Sequence, residues 1–277
     1  MKRKISLVLS SLLILSPISI NMTSCHNTEV PCKEMEIVSF QPYYSSSDPT
    51  PSVEGWEIPD GFEHYHDLVK GAGDYLVDNI SSISYKSCSK DENLYEGQIE
   101  KLGKNQIIMF EGHGSMEKFL GGDPYQHSVI WTGLSYNDEK ITEDDKENSR
   151  IVDADGNAAL TMYFIDEYVG DLTGSIVYLG NCHSGHEVTL AQTFLNKGAE
   201  AVIGNSDTIQ VAYNSLIEYT TIKKLGEINK DTNKLYTIYE ALEYAKSIYG
   251  KNDAEKDPYA AGAEPLLFGN PNFRLSI

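Results

Sequence analysis

Two apolar segments of the chain end in residues that can carry out covalent chemistry. Residues 106–110 (QIIMF) lead into "EGHGS", which contains His113, and residues 175–179 (SIVYL) lead into "GNCHSGHE", which contains Cys182. A thiolate is a strong nucleophile, but a free cysteine thiol is only slightly ionised at neutral pH and needs a base. An imidazole can take the thiol proton and later deliver a proton to a leaving amine. The pair therefore predicts acyl transfer, provided that the fold brings the two residues together.

The segments before His113 and Cys182 have the pattern of buried β-strands. Nearly continuous apolar runs are typical of strands that are covered on both faces of a parallel sheet. Strands that alternate with helices predict right-handed crossovers and a mostly parallel sheet with helices on both faces, a three-layer α/β sandwich. Active sites of such sheets form at the carboxyl ends of the strands. If the two strands are neighbours, the imidazole and the thiol meet at one edge of the sheet.

The other elements are predicted from apolar periodicity and from the positions of glycine and proline. Further strands are expected at about 37–41, 82–87 and 199–205, with a last strand or strand pair in the tail after 264. Helices are expected at about 62–80, 92–103, 158–172, 187–198, 207–226 and 235–249. The acidic stretch "NDEKITEDDKEN" predicts an exposed acidic loop at about 134–157.

The first residues have the layout of a secretory signal. Three basic residues open the chain, an apolar run follows, and the segment closes with "MTSC". We interpret residues 1–24 as a lipoprotein signal peptide and Cys25 as the lipidated first residue of the mature chain; a cleavable signal with an incidental cysteine is the alternative. Residues 25–35 would then be a tether to a domain at 36–277. This interpretation predicts an exported lipoprotein of a bacterial cell envelope, held to a membrane by its lipid.

The chain is acidic, with 41 Asp and Glu against 22 Lys and Arg and a net charge of −19. Nucleic acids and anionic lipid surfaces both need basic patches, so the charge argues against either as a partner. The charge is compatible with cationic substrates, although solubility alone would also explain it.

The number of cysteines also draws attention to Cys182. Four cysteines are too few for a disulfide scaffold. If Cys25 is acylated, a Cys32–Cys88 bridge is feasible in an oxidising compartment and would leave Cys182 without a partner. An unpaired thiol in an exported protein is a candidate reactive group.

The two motifs resemble those of a known group of enzymes. "EGHGS" and "GNCHSG" are similar to the histidine and cysteine motifs of the caspase-like cysteine peptidases (clan CD), which include caspases, legumain, clostripain, gingipains, separase and the CHAT domains. "FLNKGAEAVIGNSD" and "YEALEYAK…LLFGNPNFRL" look like later segments of gingipain-like and CHAT-type members, with Asn270 in place of an aspartate. The resemblance covers most of residues 36–277 and implies a caspase-like fold.

The resemblance also implies the roles of the site residues. Cys182 would be the nucleophile, and His113 would be the general base and acid. The N–H groups of Gly114 and Cys182 would stabilise the oxyanion. Peptide-bond hydrolysis would proceed through a thioester acyl-enzyme and would require no cofactor.

Specificity is less clearly defined by the sequence. Gly180 stands two residues before Cys182, where clostripain-like members commonly have an aspartate that helps to bind a basic substrate side chain. Bacterial relatives mostly favour a basic residue on the acyl side of the cleaved bond, and acidic groups abound in this chain, so we expect cleavage after Arg or Lys. Relatives often mature by cleavage between the two catalytic strands. Lys146 and Arg150, in the expected acidic loop, are therefore expected sites of self-cleavage.

Residues beside the pair have weaker signals. Glu111 stands two residues before His113 in an extended segment, so its side chain faces the same side and could orient the imidazole. A solvated carboxylate at the end of the strand is the other interpretation. Asn181, His183 and His186 are expected at the rim of the pocket, and the two histidines could instead cap the following helix.

Two patterns could bind metal ions. Cys182, His183, His186 and His113 offer ligands that suit zinc and would make a zinc-dependent hydrolase, but their spacing matches no zinc pattern. "DADGN" at 153–157 is similar to half of a calcium loop, but the closing glutamate is missing, so an ordinary turn and helix cap is the preferred interpretation. We expect no metal to be required, with calcium as the second interpretation of this segment.

The sequence thus predicts a cysteine endopeptidase that acts on peptides or proteins. The alternative from another class is a binding or regulatory lipoprotein that keeps the caspase-like fold without catalysis. The intact histidine and cysteine with their flanking glycines argue against it, because a binding scaffold requires none of them.

Overall fold

The computed structural model of the 277-residue chain describes residues 34–43, 55–90, 94–99, 101–119 and 125–275. The expected signal peptide and the lipid site at Cys25 lie outside these residues, and so does Cys32 of the expected bridge to Cys88. These expectations stay predictions. No helix of the described residues is long and apolar enough to cross a membrane.

Strands and helices alternate along much of the described chain. The strands are β1 (Met35–Gln41), β2 (Ile83–Lys90), β3 (Gln106–Glu111), β4 (Gly114–Lys118), β5 (Gln126–Ser135), β6 (Ile151–Ala154), β7 (Asn157–Leu160), β8 (Ile176–Gly180), β9 (Ala201–Asn205), β10 (Ile228–Asn229), β11 (Lys234–Leu235) and β12 (Pro265–Gly269). The helices are α1 (Asp67–Asn79), α2 (Glu96–Ile99), α3 (Glu143–Glu147), α4 (Met162–Tyr168), α5 (Val188–Asn196), α6 (Val211–Leu225) and α7 (Ile238–Tyr249).

The central sheet has the strand order β12-β9-β8-β3-β1-β2. All neighbouring strands pair in parallel except β12, which runs antiparallel to β9 at one edge. Helices α1, α6 and α7 pack on one face, and α4 and α5 pack on the other. The predicted three-layer α/β sandwich with a mostly parallel sheet is confirmed.

Side chains of the central strands alternate between two hydrophobic cores. In β3, Ile107 and Met109 pack in the core with α1, α6 and α7, whereas Ile108 and Phe110 pack in the core on the opposite face. Each such side chain stabilises the fold by about 1.5–3 kcal/mol when it is fully buried. Because both faces are covered, these strands are apolar at nearly every position, which is why their sequences were recognisable.

A second sheet lies on both sides of the region that is expected to be an exposed loop and includes its ends. It has four antiparallel strands in the order β4-β5-β7-β6, and α3 lies between β5 and β6. The expected exposed loop at 134–157 is therefore wrong at its ends, which belong to β5, β6 and β7, and at α3, whereas most residues of 135–148 are exposed. The helix expected from 158 begins instead at Met162, after β7. The strands β6 and β7 have four residues each, too few for their alternation to stand out in a polar sequence.

The "DADGN" segment forms the turn of the β6–β7 hairpin. Asp155 and Gly156 have φ angles of 53° and 82°, the left-handed values that a two-residue type I′ turn requires. The Gly156 N–H donates to Asp153 Oδ1 at 2.7 Å, so this carboxylate holds the turn. The interpretation as a turn is confirmed. The expected helix cap is wrong, because a strand follows.

Candidate active site

Parallel pairing of β3 with β8 brings the two motifs together. The register pairs Glu111 with Gly180, so His113 and Cys182 each follow by two residues at the same edge of the sheet. The Asn181 side-chain amide donates to the His113 carbonyl oxygen at 3.2 Å, which ties the two loops to each other. The segments that carry the histidine and the cysteine therefore lie side by side.

Gly114 lies so close to the cysteine loop that a larger residue would not fit. A Cβ atom at this position would lie 2.5 Å from the Cys182 carbonyl oxygen and 2.9 Å from that of Val129. The glycine after the histidine thus permits a close approach of two backbones. The oxyanion role expected for the N–H groups of Gly114 and Cys182 stays a prediction.

The His113 side chain is exposed to solvent and packs against two aromatic rings. The centroids of the Tyr43 and Trp131 rings lie 4.7 Å and 5.4 Å from the centroid of the imidazole. Partial burial lowers the pKa of His113, and the neighbouring His66 lowers it further. The neutral imidazole is therefore favoured at neutral pH, and this is the form that can accept a proton.

The Cys182 thiol is half-buried on the face of the sheet that α6 covers. The Ile209 N–H, just before α6, donates to Cys182 Sγ at 3.5 Å. Burial raises the pKa of the thiol, the hydrogen bond with Ile209 opposes this, and the charges of Asp253 and Asp207 raise the pKa further. Within the described residues no hydrogen bond joins this thiol to the imidazole. The cysteine at rest is thus a neutral thiol that needs a base before it can attack.

Glu111 does not orient the imidazole of His113. Its carboxylate is 5% exposed, accepts from Ser215 Oγ at 2.7 Å and from the Gln41 side-chain amide, and lies 3.4 Å from His66 Nδ1. The expected contact between Glu111 and His113 is therefore wrong, and so is the alternative of a solvated carboxylate. The cause is the pleat of β3, which directs this side chain into the interior below α6.

Asn181 and the two flanking histidines have different surroundings. Asn181 is only 1% exposed, so its expected position at the pocket rim is wrong. Its buried side chain instead links the cysteine loop to the histidine loop. His183 lies 3.0 Å from Thr208 Oγ1 through Nε2, and the exposed His186 lies 2.8 Å from the Ser206 carbonyl oxygen through Nδ1. The two histidines thus hold the loop that follows β9, beside the candidate site. Neither caps α5, because the Glu187 carboxylate occupies that position.

The described residues contain no group of three or more His, Cys, Asp or Glu side chains that could hold a metal ion. The four ligands proposed for zinc do not converge in this structure. His183 and His186 are engaged by the loop at 206–208, and the Cys182 thiol accepts from a backbone N–H.

Lys146 and Arg150 do not lie in an exposed loop. Lys146 is part of α3 and pairs with Glu143 at 2.7 Å, and Arg150 directly precedes β6. The Arg150 guanidinium contacts Asp145 Oδ1 at 2.6 Å and also pairs with Asp144. Cleavage after either residue would require this unit to unfold locally first. The reason for expecting self-cleavage here, exposure in a loop, is therefore absent.

Several residues of the site were not found from the sequence. Tyr43 follows β1, His66 precedes α1, and Trp131 lies in β5, so only the sheet topology brings them to His113. Glu218 lies in the middle of α6 and is fully buried. Its one signal is a charged residue on an otherwise apolar or small face of a helix, which is unusual for a buried position.

Comparison with known proteins finds similar solved structures. One is gingipain R, described as an Arg-specific cysteine proteinase, with 12% identity, coverage of 87% of this chain and 46% of that one, and a TM-score of 0.49. Another is the complex of the pro- and mature domains of RgpB from Porphyromonas gingivalis, with 14% identity, coverage of 88% and 48%, and a TM-score of 0.47. This chain thus spans about half the length of either structure. No family model matches the chain, and no curated protein matches it.

Proposed function

We propose that this protein is a cysteine endopeptidase with Cys182 as its nucleophile and His113 as its general base. The observation that carries the proposal is the β3–β8 register, which sets the histidine and cysteine loops side by side at the carboxyl edge of a parallel sheet. Peptides or proteins are the substrates, and no cofactor takes part in the reaction.

The reaction begins with the neutral pair. His113 takes the proton of the Cys182 thiol as the sulfur attacks the peptide carbonyl, and a tetrahedral intermediate forms. The N–H groups of Gly114 and Cys182 bind its negatively charged oxygen. The imidazolium then gives its proton to the departing amine, which leaves a thioester on Cys182.

Water completes the cycle. His113, neutral again, takes a proton from the water that attacks the thioester, and the carboxylic product leaves as the proton returns to the Cys182 sulfur. The packing of His113 against Tyr43 and Trp131 limits the positions of the ring during both proton transfers. We further propose a preference for Arg or Lys on the acyl side of the cleaved bond, which fits the acidic chain.

Fluorogenic peptides with a different residue on the acyl side test this function. The wild-type protein should hydrolyse at least one of them, and Cys182→Ala and His113→Ala should each lower kcat/KM by at least about a hundredfold. A folded Cys182→Ala protein with undiminished turnover would refute the nucleophile. The control is His186→Ala, which changes an exposed histidine of the same loop and should keep most of the activity.

A non-catalytic binding protein is the second candidate. Burial raises the pKa of the Cys182 thiol, and this favours the second candidate because it stabilises an unreactive neutral thiol. A panel of peptides and thiol-directed probes that leaves Cys182 unmodified would support it.

Export and lipidation remain proposals that rest on the sequence alone. The basic start, the apolar run and the "MTSC" segment support a lipid on Cys25. Growth of expressing bacteria with an alkyne-tagged fatty acid should label the wild-type protein and not Cys25→Ser. Equal labelling of the two would exclude this site.

A further inference from the structure

A polar cluster lies below the candidate active site, on the face of the sheet that α6 covers. The alternation of β3 directs Ile107 and Met109 to this face, and the next residue in the same phase is Glu111. The alternation of β8 directs Tyr178 to the same face, and the next position in phase is Gly180. On the face that α6 covers, each strand thus has apolar residues along most of its length and a polar or small residue at its end, just before the histidine or cysteine loop.

Helix α6 supplies a second carboxylate to this cluster. Ser215 donates to Glu111, and Glu218 follows one turn later with no exposed surface. Glu218 Oε2 lies 3.0 Å from the point where a Cβ on Gly180 would lie. Asn214 Nδ2 lies 2.8 Å from the same point, so two side chains of α6 share the space that the glycine leaves beside β8, two residues before Cys182.

Several polar atoms of this cluster lack a hydrogen-bond partner among the described residues. Within the described structure neither carboxylate oxygen of Glu218 has a hydrogen-bond partner, and neither do Gln41 Oε1 and the Tyr178 hydroxyl. Buried polar groups almost always have partners, because an unpaired one costs free energy. Burial, and then the charge of Glu111, raises the pKa of Glu218, as expected of a carboxyl group without a cation. A guanidinium or ammonium group carries donors only and a positive charge, so it would supply donors to the two Glu218 oxygens and Gln41 Oε1.

The cluster lies within reach of a substrate side chain. Gly180 precedes the nucleophile by two residues, which is roughly 7 Å in an extended chain. Cys182 is half-buried, and His66, whose side chain is 20% exposed, lies beside Glu111 on the same face. A long basic side chain whose backbone carbonyl faces Cys182 is long enough to extend over this distance.

We propose that Glu218, together with Glu111, forms the floor of a pocket that binds the cationic side chain of the substrate residue on the acyl side of the cleaved bond. The identity of this substrate residue rests on the proposed peptidase function. Binding of a cation to the two carboxylates does not depend on that function, so it can be measured without catalysis.

Agmatine, a four-carbon chain with a guanidinium group at one end and an ammonium group at the other, probes the pocket in the inactive Cys182→Ala protein. Titration calorimetry should show saturable binding of agmatine and none of N-(4-hydroxybutyl)urea, an uncharged analogue of the same length. Adding Glu218→Gln should weaken the binding at least about tenfold. Adding Glu227→Gln, which changes a carboxylate just after the end of α6, should leave it unchanged. If agmatine does not bind, or binds equally to the Glu218→Gln protein, the proposal is overturned.

Peptide hydrolysis separates this proposal from the proposed function. The ratio of kcat/KM for an arginyl and a citrullyl substrate should fall at least about tenfold in Glu218→Gln, with the citrullyl value nearly unchanged. An unchanged ratio in an active enzyme would refute the pocket and leave the peptidase. Agmatine binding without hydrolysis of any peptide would refute the peptidase and leave the pocket. Should Glu218→Gln not fold, Glu111→Gln serves in both experiments with the same expected results.

Discussion

At the residue scale, the resting state of the proposed pair of Cys182 and His113 follows from two opposite effects of burial. Desolvation disfavours charge on either group, so the pKa of Cys182 is raised and that of His113 is lowered. Both effects favour a neutral thiol beside a neutral imidazole over a thiolate–imidazolium pair. The proton would then move when a substrate is bound, as in general base catalysis.

This resting state predicts the pH dependence of Cys182 alkylation. The thiolate is the reactive form, and the pKa of the Cys182 thiol is raised. The rate of reaction with iodoacetamide should therefore rise with pH and reach half of its maximum at a pH above the pKa of a free cysteine thiol. The rate can be followed by mass spectrometry on the peptide that contains Cys182, with a free cysteine peptide as the reference. A rate that is already maximal and flat at pH 6–7 would show an ion pair instead.

Gly114 offers a second test at this scale. In Gly114→Ala the new methyl group would meet the carbonyl oxygens of Cys182 and Val129, so backbone shifts should lower stability by about 1–3 kcal/mol. The same shifts should displace the oxyanion donors and lower kcat more than KM is changed. Gly170→Ala is the control, since a Cβ there meets nothing within 4 Å. Equal activity and melting temperature in the two variants would contradict this account of Gly114.

Sequence patterns identified His113 and Cys182 but not their surroundings. The two residues stand out because each follows an apolar strand and has glycine nearby. The directions of Glu111 and Asn181 depend on which face of the strand is covered by α6 and on how the two loops meet. Those facts depend on packing between distant segments, and the local sequence does not contain them.

At the element scale, the segment between β5 and β6 is organised around one buried carboxylate. Asp145, at the third position of α3, has no exposed surface. It accepts from the Tyr95 hydroxyl at 2.6 Å and from the Tyr168 hydroxyl at 2.8 Å, and it pairs with Arg150. Burial of Tyr95 and its hydrogen bond to Asp145 raise the pKa of the Tyr95 hydroxyl to about 12. These contacts hold a highly charged segment against the domain.

Removal of this carboxylate should loosen the segment. Asp145→Ala leaves the Arg150 guanidinium and three hydroxyls, including that of Thr142, without their shared partner, so we expect a loss of about 2–4 kcal/mol in the free energy of unfolding. Trypsin should then cut after Lys146 or Arg150 much faster than in the wild type. Glu139→Ala, at an exposed position of the same segment, should change neither property. Equal trypsin resistance in the two variants would refute the role of Asp145.

The elements differ in how clearly the sequence predicted them. Strands β3, β8 and β9 were predicted because both of their faces are buried and their sequences are almost wholly apolar. The second sheet was missed because β4, β6 and β7 have only five, four and four residues, too few for a clear alternation of apolar and polar residues. The Asp155-Gly156 pair was the available signal for its β6–β7 hairpin, since this dipeptide favours a type I′ turn.

At the scale of the whole molecule, the burial of two neighbouring carboxyl groups, Glu111 and Glu218, lowers the stability of the fold. Two hydrophobic cores cover the central sheet, and Glu218 lies within the layer that α6 contributes to one of them. A carboxyl group at such a position must remain protonated or find a cation. Natural proteins tolerate such costs mostly where function requires the group.

The dependence of stability on pH tests this cost. The folded-state pKa of Glu218 is raised above the unfolded value of about 4.3, so folding takes up a proton and stability falls as the pH rises above that value. Glu218→Gln removes this dependence. Its melting temperature should therefore match the wild type near pH 4 and exceed it increasingly toward pH 7. A variant that is less stable than the wild type at pH 7, with Glu227→Gln unchanged, would contradict the assignment.

The most direct test of the central claim is the covalent labelling of Cys182. Wild-type protein and Cys182→Ala would be incubated with an arginyl or lysyl acyloxymethyl ketone and examined by intact and peptide mass spectrometry. We predict a single adduct on the peptide that contains Cys182, absent in Cys182→Ala and formed much more slowly in His113→Ala. Wild-type protein that remains unmodified by these probes and by a panel with other acyl-side residues would contradict the assignment of Cys182 as the nucleophile.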